Sequence, residues 1–167
     1  LYSAPGFVPA AEGSVAAGLK LRNRELKPSP ELLSMMADVE RDWIDPAGEP
    51  ILYAIEKHEL LRELSAGIWL RKYWPDMPGS REARDAHQAK GAWLRELRAW
   101  HGSRVRPPEG LDTPGLVHEA LSDRSGGLWE RLSDNVVLTW DEWQAKERRV
   151  PEGAPGRETE VQLLDPY

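Results

Sequence analysis

The chain has no cysteine, a single phenylalanine and only four histidines. Its longest apolar run is a few residues. Without cysteine there is no disulfide scaffold, thiolate zinc site, iron–sulfur cluster or cysteine nucleophile. Runs this short exclude a membrane-spanning helix. The opening Leu1-Tyr2-Ser3-Ala4-Pro5 lacks the basic start and apolar middle of a signal peptide. It also lacks an initiator methionine, so the expectation is that the first residues have been trimmed or left out. Positive charge is in the minority, with 22 basic against 28 acidic side chains and a net charge of −6. That balance argues against a protein that coats DNA or an acidic membrane.

Tryptophan is abundant: eight in 167 residues, in a chain that is 40% hydrophobic. Length favours one domain, or one domain with arms. Proline and small residues thin out the apolar pattern over 1–29, which reads as an extended N-terminal arm with a short helix near Ser14–Leu21. Residues 30–106 read as a helical core, 107–148 as an acidic helical extension, and 149–167 as an extended C-terminal tail.

Three helices are legible in the core. Ser29-Pro30-Glu31 supplies a capping oxygen, a proline at the first position and an acid facing the helix dipole. Leu32, Met36, Val39 and Trp43 then share a face, and Asp45-Pro46-Ala47-Gly48 ends the helix. A second helix is predicted from Pro50 towards Tyr73, with Ile51, Ile55, Leu61, Leu64 and Ile68 as its stripe. Leu60, Trp69 and Tyr73 widen that stripe, and Gly67 is a weak point within it. The third runs from Ser80 to Gly102, with Ala86, Ala89, Trp93, Leu94, Leu97 and Trp100 directed inward.

Beyond Gly102, Thr113-Pro114 opens a short helix carrying Leu116, Val117, Ala120 and Leu121. Asn135 to Leu138 reads as a short strand, and Thr139-x-x-Glu142 as a capping box for a helix to Arg148. Thr159–Leu164 reads as a strand that adds to another sheet edge, a neighbouring subunit being one place for it. The fold class is therefore mainly α: a bundle of three to five helices with extended arms and a short β segment.

Chemical motifs are incomplete. His58-Glu59 resembles the start of a zinc-protease helix, but Arg62 stands where the second histidine is required. His118-Glu119 fails likewise at Ser122. Ser125-Gly126-Gly127 has no following lysine for a phosphate loop, and Ser103 lacks the glycine-flanked elbow. Asp38, Glu40, Asp42 and Asp45 cluster near the end of the first helix. A hydrated divalent cation between Asp38 and Asp42 is one reading and a solvated acidic face the favoured one. The expectation is a protein without catalytic residues, metal or cofactor.

Charge is unevenly spread, at +4 over 51–106, −3 over 1–50 and −7 over 107–167. Arg84, Arg95, Arg98, Arg104 and Arg106 are candidate phosphate contacts for a nucleic acid, although Glu82, Asp85 and Glu96 interrupt them. A basic middle with acidic ends also suits contacts between identical subunits. Trp129, Trp140 and Trp143 should anchor the C-terminal segment, on the core or on a neighbour. Val161, Leu163 and Leu164 are candidates for a strand across an interface.

One family resemblance follows from particular residues. A long helix closing in Trp69-Leu70-Arg71-Lys72-Tyr73 is followed by a Pro/Gly break. A helix closing in Ala92-Trp93-Leu94-Arg95-Glu96-Leu97 and His101-Gly102 comes next. This arrangement over Ile51–Arg106 resembles small helical head–tail connector proteins of tailed bacteriophages, including the Mu-like head–tail joining group. The resemblance implies a homo-oligomeric ring between portal and tail in the virion, assembled in the host cytoplasm, with no catalysis. The alternative is a regulatory module that binds nucleic acid or protein through the basic third helix.

Overall fold

The computed structural model describes residues 28–164. The N-terminal arm and its short helix near Ser14–Leu21 fall mostly or wholly outside that range. Helix α1 spans Pro30–Asp42, and the Ser29 hydroxyl accepts from the Leu32 amide at 3.2 Å. Trp43 ends it in a left-handed conformation, φ 57°. The chain then turns tightly: Asp45 Oδ1 accepts from the amides of Ala47 and Glu49, each at 2.9 Å, and Ile44 bridges Pro50.

The second helix is shorter than its apolar stripe predicts. Helix α2 covers Ala54–Ser65, with the Glu56 carboxylate accepting from the Leu52 and Tyr53 amides ahead of it. Gly67, at φ 74°, reverses the chain into strand β1, Ile68–Tyr73. A left-handed glycine ends a helix at little steric cost, and the β-branched and aromatic residues after it favour an extended chain. Ile68 matches the helical period by coincidence, and Ile55 points outward, 64% exposed.

Helix α3, Ser80–Gly102, buries Ala86, Ala89, Trp93, Leu94, Leu97 and Trp100, the face its period predicts. Gly79, rather than Ser80, is its N-cap. Helix α4, Pro114–Ser122, opens on Thr113, whose hydroxyl accepts from the Leu116 amide. Helix α5 runs Asp134–Glu147 and absorbs the stretch Asn135–Leu138 expected as a strand. Ser133 caps it by accepting from Val136, so a capping box at Thr139 is not used. Thr139 instead donates back to the Asn135 carbonyl at 2.7 Å. Val136, Trp140 and Trp143 lie at helical spacing and all are buried, so packing outweighs the β preference of Val136-Val137.

Strand β2, Glu158–Leu163, pairs antiparallel with β1 of the same chain, Ile68 opposite Leu163 and Tyr73 opposite Glu158. The strand expected over Thr159–Leu164 thus forms, and the edge it adds to is β1 of the same chain rather than one in a neighbouring subunit. The fold is mainly α, five helices and one two-stranded sheet among the described residues. Its larger apolar cluster joins α3 to Leu111, Val117, Leu121, Leu132, Val136, Trp140 and Trp143, so residues beyond 107 are integral to the core. A second cluster joins Leu32, Val39, Ile51, Leu60, Leu64 and Trp69, with Leu164 packed against it. No helix among the described residues is long and apolar enough to cross a membrane.

Candidate functional site

The three candidate anchoring tryptophans hold the C-terminal third to α3. Trp140 and Trp143 are buried, with ring centroids 5.0 and 5.2 Å from Trp93. Trp129 is half-buried and donates from its indole to the Arg124 carbonyl at 3.1 Å. Arg124 in turn covers the Trp129 ring and pairs with Asp141 of α5. These contacts are internal, which places the anchor on the core and leaves Trp140 and Trp143 inaccessible to a neighbour.

The candidate interface residues of the tail separate. Val161 and Leu163 are 65% and 80% exposed, while Leu164 is half-buried against the second cluster. Register puts Leu163 opposite Ile68 and Val161 opposite Leu70, so these four apolar side chains share one face of the sheet. Ile68 and Leu70 are each 37% exposed. Every residue of β2 is exposed.

The five arginines do not form one track. Arg84 pairs with Glu49 at 2.6 Å. Arg104 covers the Trp100 ring at 4.7 Å, and Arg106 lies beside Pro107, Glu109 and Asp112. Only Arg95 and Arg98 converge, one turn apart on α3 and lining the same cleft as Trp43. The Arg98 guanidinium lies 3.8 Å from the Trp43 ring centroid.

Within the acidic cluster at the end of α1, Arg41 bridges two of the carboxylates. Arg41 bonds both Asp42 oxygens and Asp38 Oδ1, and its hydrogen bond holds the Asp42 carboxyl below the usual range. Asp45 is spent on the turn amides, and burial pushes its carboxyl up. Among the described residues no three histidine or carboxylate side chains group as a metal site. His101 donates to the Leu111 carbonyl at 2.8 Å, and His118 packs edge-on to Trp140 at 4.7 Å.

A polar cluster that no sequence motif marks lies between the 43–50 turn and the start of α3. It contains buried Glu49, its partner Arg84, and His87, whose ring bonds the Pro50 carbonyl at 3.2 Å. Arg157, 70 residues beyond His87 along the chain, acts electrostatically on His87 and Asp45. No local pattern links these residues, since only the tertiary fold brings them near one another. Trp69–Tyr73, one half of the connector resemblance, lies in β1 rather than in a helix. No family model, curated protein or solved structure matches the chain.

Proposed function

We propose that the protein is a non-enzymatic assembly component that associates with copies of itself through the β1–β2 sheet. The observation that carries this is the exposed apolar face of Ile68, Leu70, Val161 and Leu163 beside the fully exposed strand β2. Two-stranded sheets are marginal alone, and an unprotected edge invites a further strand. Strand β2 suits a second copy of itself. An antiparallel pairing centred on Val161 sets Leu163 against Thr159 and Gln162 against Glu160 of the partner copy. In that register no carboxylate faces another, and the apolar faces of both copies continue on one side.

A two-fold contact of this kind closes as a dimer. The head–tail connector reading, implied by the resemblance, needs a head-to-tail contact that closes as a ring, with portal or tail proteins as neighbours. A nucleic-acid module has less support, because three of the five arginines are spent on Glu49, on Trp100 or at a separate cleft.

Native mass spectrometry of the chain and of Val161→Lys and Leu163→Lys tests the proposal. Both positions are exposed, so the fold should survive. A dimer that becomes a monomer in both variants supports β2 pairing. A ring that persists in them supports the connector form through another surface. A monomer at every concentration, unchanged by either substitution, removes self-assembly.

A further inference from the structure

We infer that the cleft between the 43–48 turn and α3 binds a phosphate monoester through Arg95 and Arg98. Trp43, Ile44, Arg95 and Arg98 line it, together with Arg41, Asp42 and Ala99, around about 440 Å³. This site lies apart from the β2 edge and does not depend on the assembly reading.

Arg98 is prepared for a ligand. Its guanidinium stacks on Trp43, and one terminal nitrogen donates to the carbonyls of Ile51 and Leu52 at 3.4 and 2.9 Å. Its Nε and other terminal nitrogen have no protein partner among the described residues. Trp43 is the one non-glycine residue at positive φ among the described residues. A strained residue persists only where its surroundings fix it, and here its ring holds the Arg98 fork in place.

Among the described residues no carboxylate compensates this pair. Arg95 is exposed and makes no hydrogen bond or ion pair among the described residues. Among the described residues the one acid lining the cleft is Asp42, whose two oxygens are held by Arg41. Burial, and then the charge of Arg95, push the Arg98 guanidinium down, as expected for two cations without a counter-ion.

The chemistry that suits two converging guanidinium groups is an anion with several acceptor oxygens. A phosphate monoester carries about −1.5 to −2 charge at pH 7 and three acceptor oxygens, enough to bridge two guanidinium forks. A continuous nucleic-acid backbone suits the cleft less well. Arg98 is half-buried, and the net charge of −6 opposes a polyanion along the surrounding surface.

The test follows arginine Nε–H signals of the nitrogen-15-labelled full chain during titration with inorganic phosphate and with phenyl phosphate at constant ionic strength. Saturable shifts of Arg95 and Arg98, absent with chloride, are expected. Arg95→Gln breaks no hydrogen bond or ion pair among the described residues and should weaken binding at least about tenfold, whereas Arg104→Gln leaves it unchanged. Arg98→Lys keeps the charge but loses the fork, and should also weaken binding. Linear drift equal to that with chloride overturns the inference, as does saturation retained in Arg95→Gln. Binding of an oligonucleotide without terminal phosphate, as tight as that of the monoester, overturns it in favour of a backbone site.

Discussion

Glu49 Oε1 lies 2.6 Å from an Arg84 guanidinium nitrogen, with the Glu49 side chain 5% exposed and that of Arg84 51%. The pair ties the turn after α1 to the second turn of α3. The second oxygen of Glu49 is buried without a protein partner among the described residues. Removing the cation would leave a desolvated carboxylate uncompensated.

Arg84→Met should therefore destabilise the protein. Breaking a fully buried pair costs about 3–5 kcal/mol, and the solvent on the arginine side lowers this to about 2 kcal/mol. Glu49→Gln combined with Arg84→Met should recover most of the loss, because no charge is then stranded. Urea unfolding of the single and double variants measures this. An Arg84→Met midpoint equal to that of the parent would show that Arg84 does not compensate Glu49.

The tryptophans should rank by burial. Trp93 is 2% exposed and stacks on Trp143 at an interplanar angle of 24°. Trp93→Ala should cost about 3–5 kcal/mol, and Trp143→Ala nearly as much. Trp129, half-buried and held by one hydrogen bond, should cost about 1–2 kcal/mol as alanine. Denaturant midpoints give the order. Near-ultraviolet circular dichroism should lose most of its indole signal in Trp93→Ala and little in Trp129→Ala.

Legibility in the sequence followed how local each determinant is. The Ser29-Pro30 and Thr113-Pro114 starts, and the buried face of α3, follow from side chains within a turn or two of one another. The end of α2 was hidden because Ile68 and Trp69 fit a helical period as well as a strand. Only the left-handed Gly67 and the pairing of β1 with β2, about 90 residues later, decide it. The start of α5 was legible in Ser133 but masked by two valines. The Trp43–Arg98 stack and the Glu49–Arg84 pair depend on which face of α3 meets the turn after α1, which no local pattern reveals.

That turn meets α3 at Gly91, which gives a sharp test of the packing. A Cβ built there would stand 2.4 and 2.6 Å from two carbons of the Pro50 ring. Alanine raises helix propensity by about 1 kcal/mol over glycine. The overlap with a rigid ring should outweigh this, and Gly91→Ala should destabilise by about 1–3 kcal/mol. Gly102 ends the same helix with nothing within 4 Å of its added Cβ. Gly102→Ala should be neutral or stabilise by up to about 1 kcal/mol. Thermal unfolding of the two variants should move in opposite directions, or at least differ in this order.

The stability of the fold should depend on pH through His87 and Asp45. Burial, and then the charge of Arg157, push the His87 imidazole below its ordinary value, against the opposing bond to the Pro50 carbonyl. At neutral pH the ring is uncharged, and its Nε2–H donates to that carbonyl. A group whose folded value is depressed contributes stability that is present above its unfolded value, about 6.5 for histidine, and lost as pH falls towards the folded value. Asp45 has the opposite sign. Burial raises it, so its contribution is present below the ordinary aspartate value and lost as pH rises through the folded one. Stability should therefore fall on acidification below about pH 6.5, with Asp45 offsetting part of the loss at lower pH. His87→Gln keeps an amide donor for Pro50 and should flatten the upper slope. Asp45→Asn should leave that slope intact and remove the offset. Urea unfolding across this range, for the parent and both variants, checks the assignment, and an unchanged slope in His87→Gln would exclude His87 as its source.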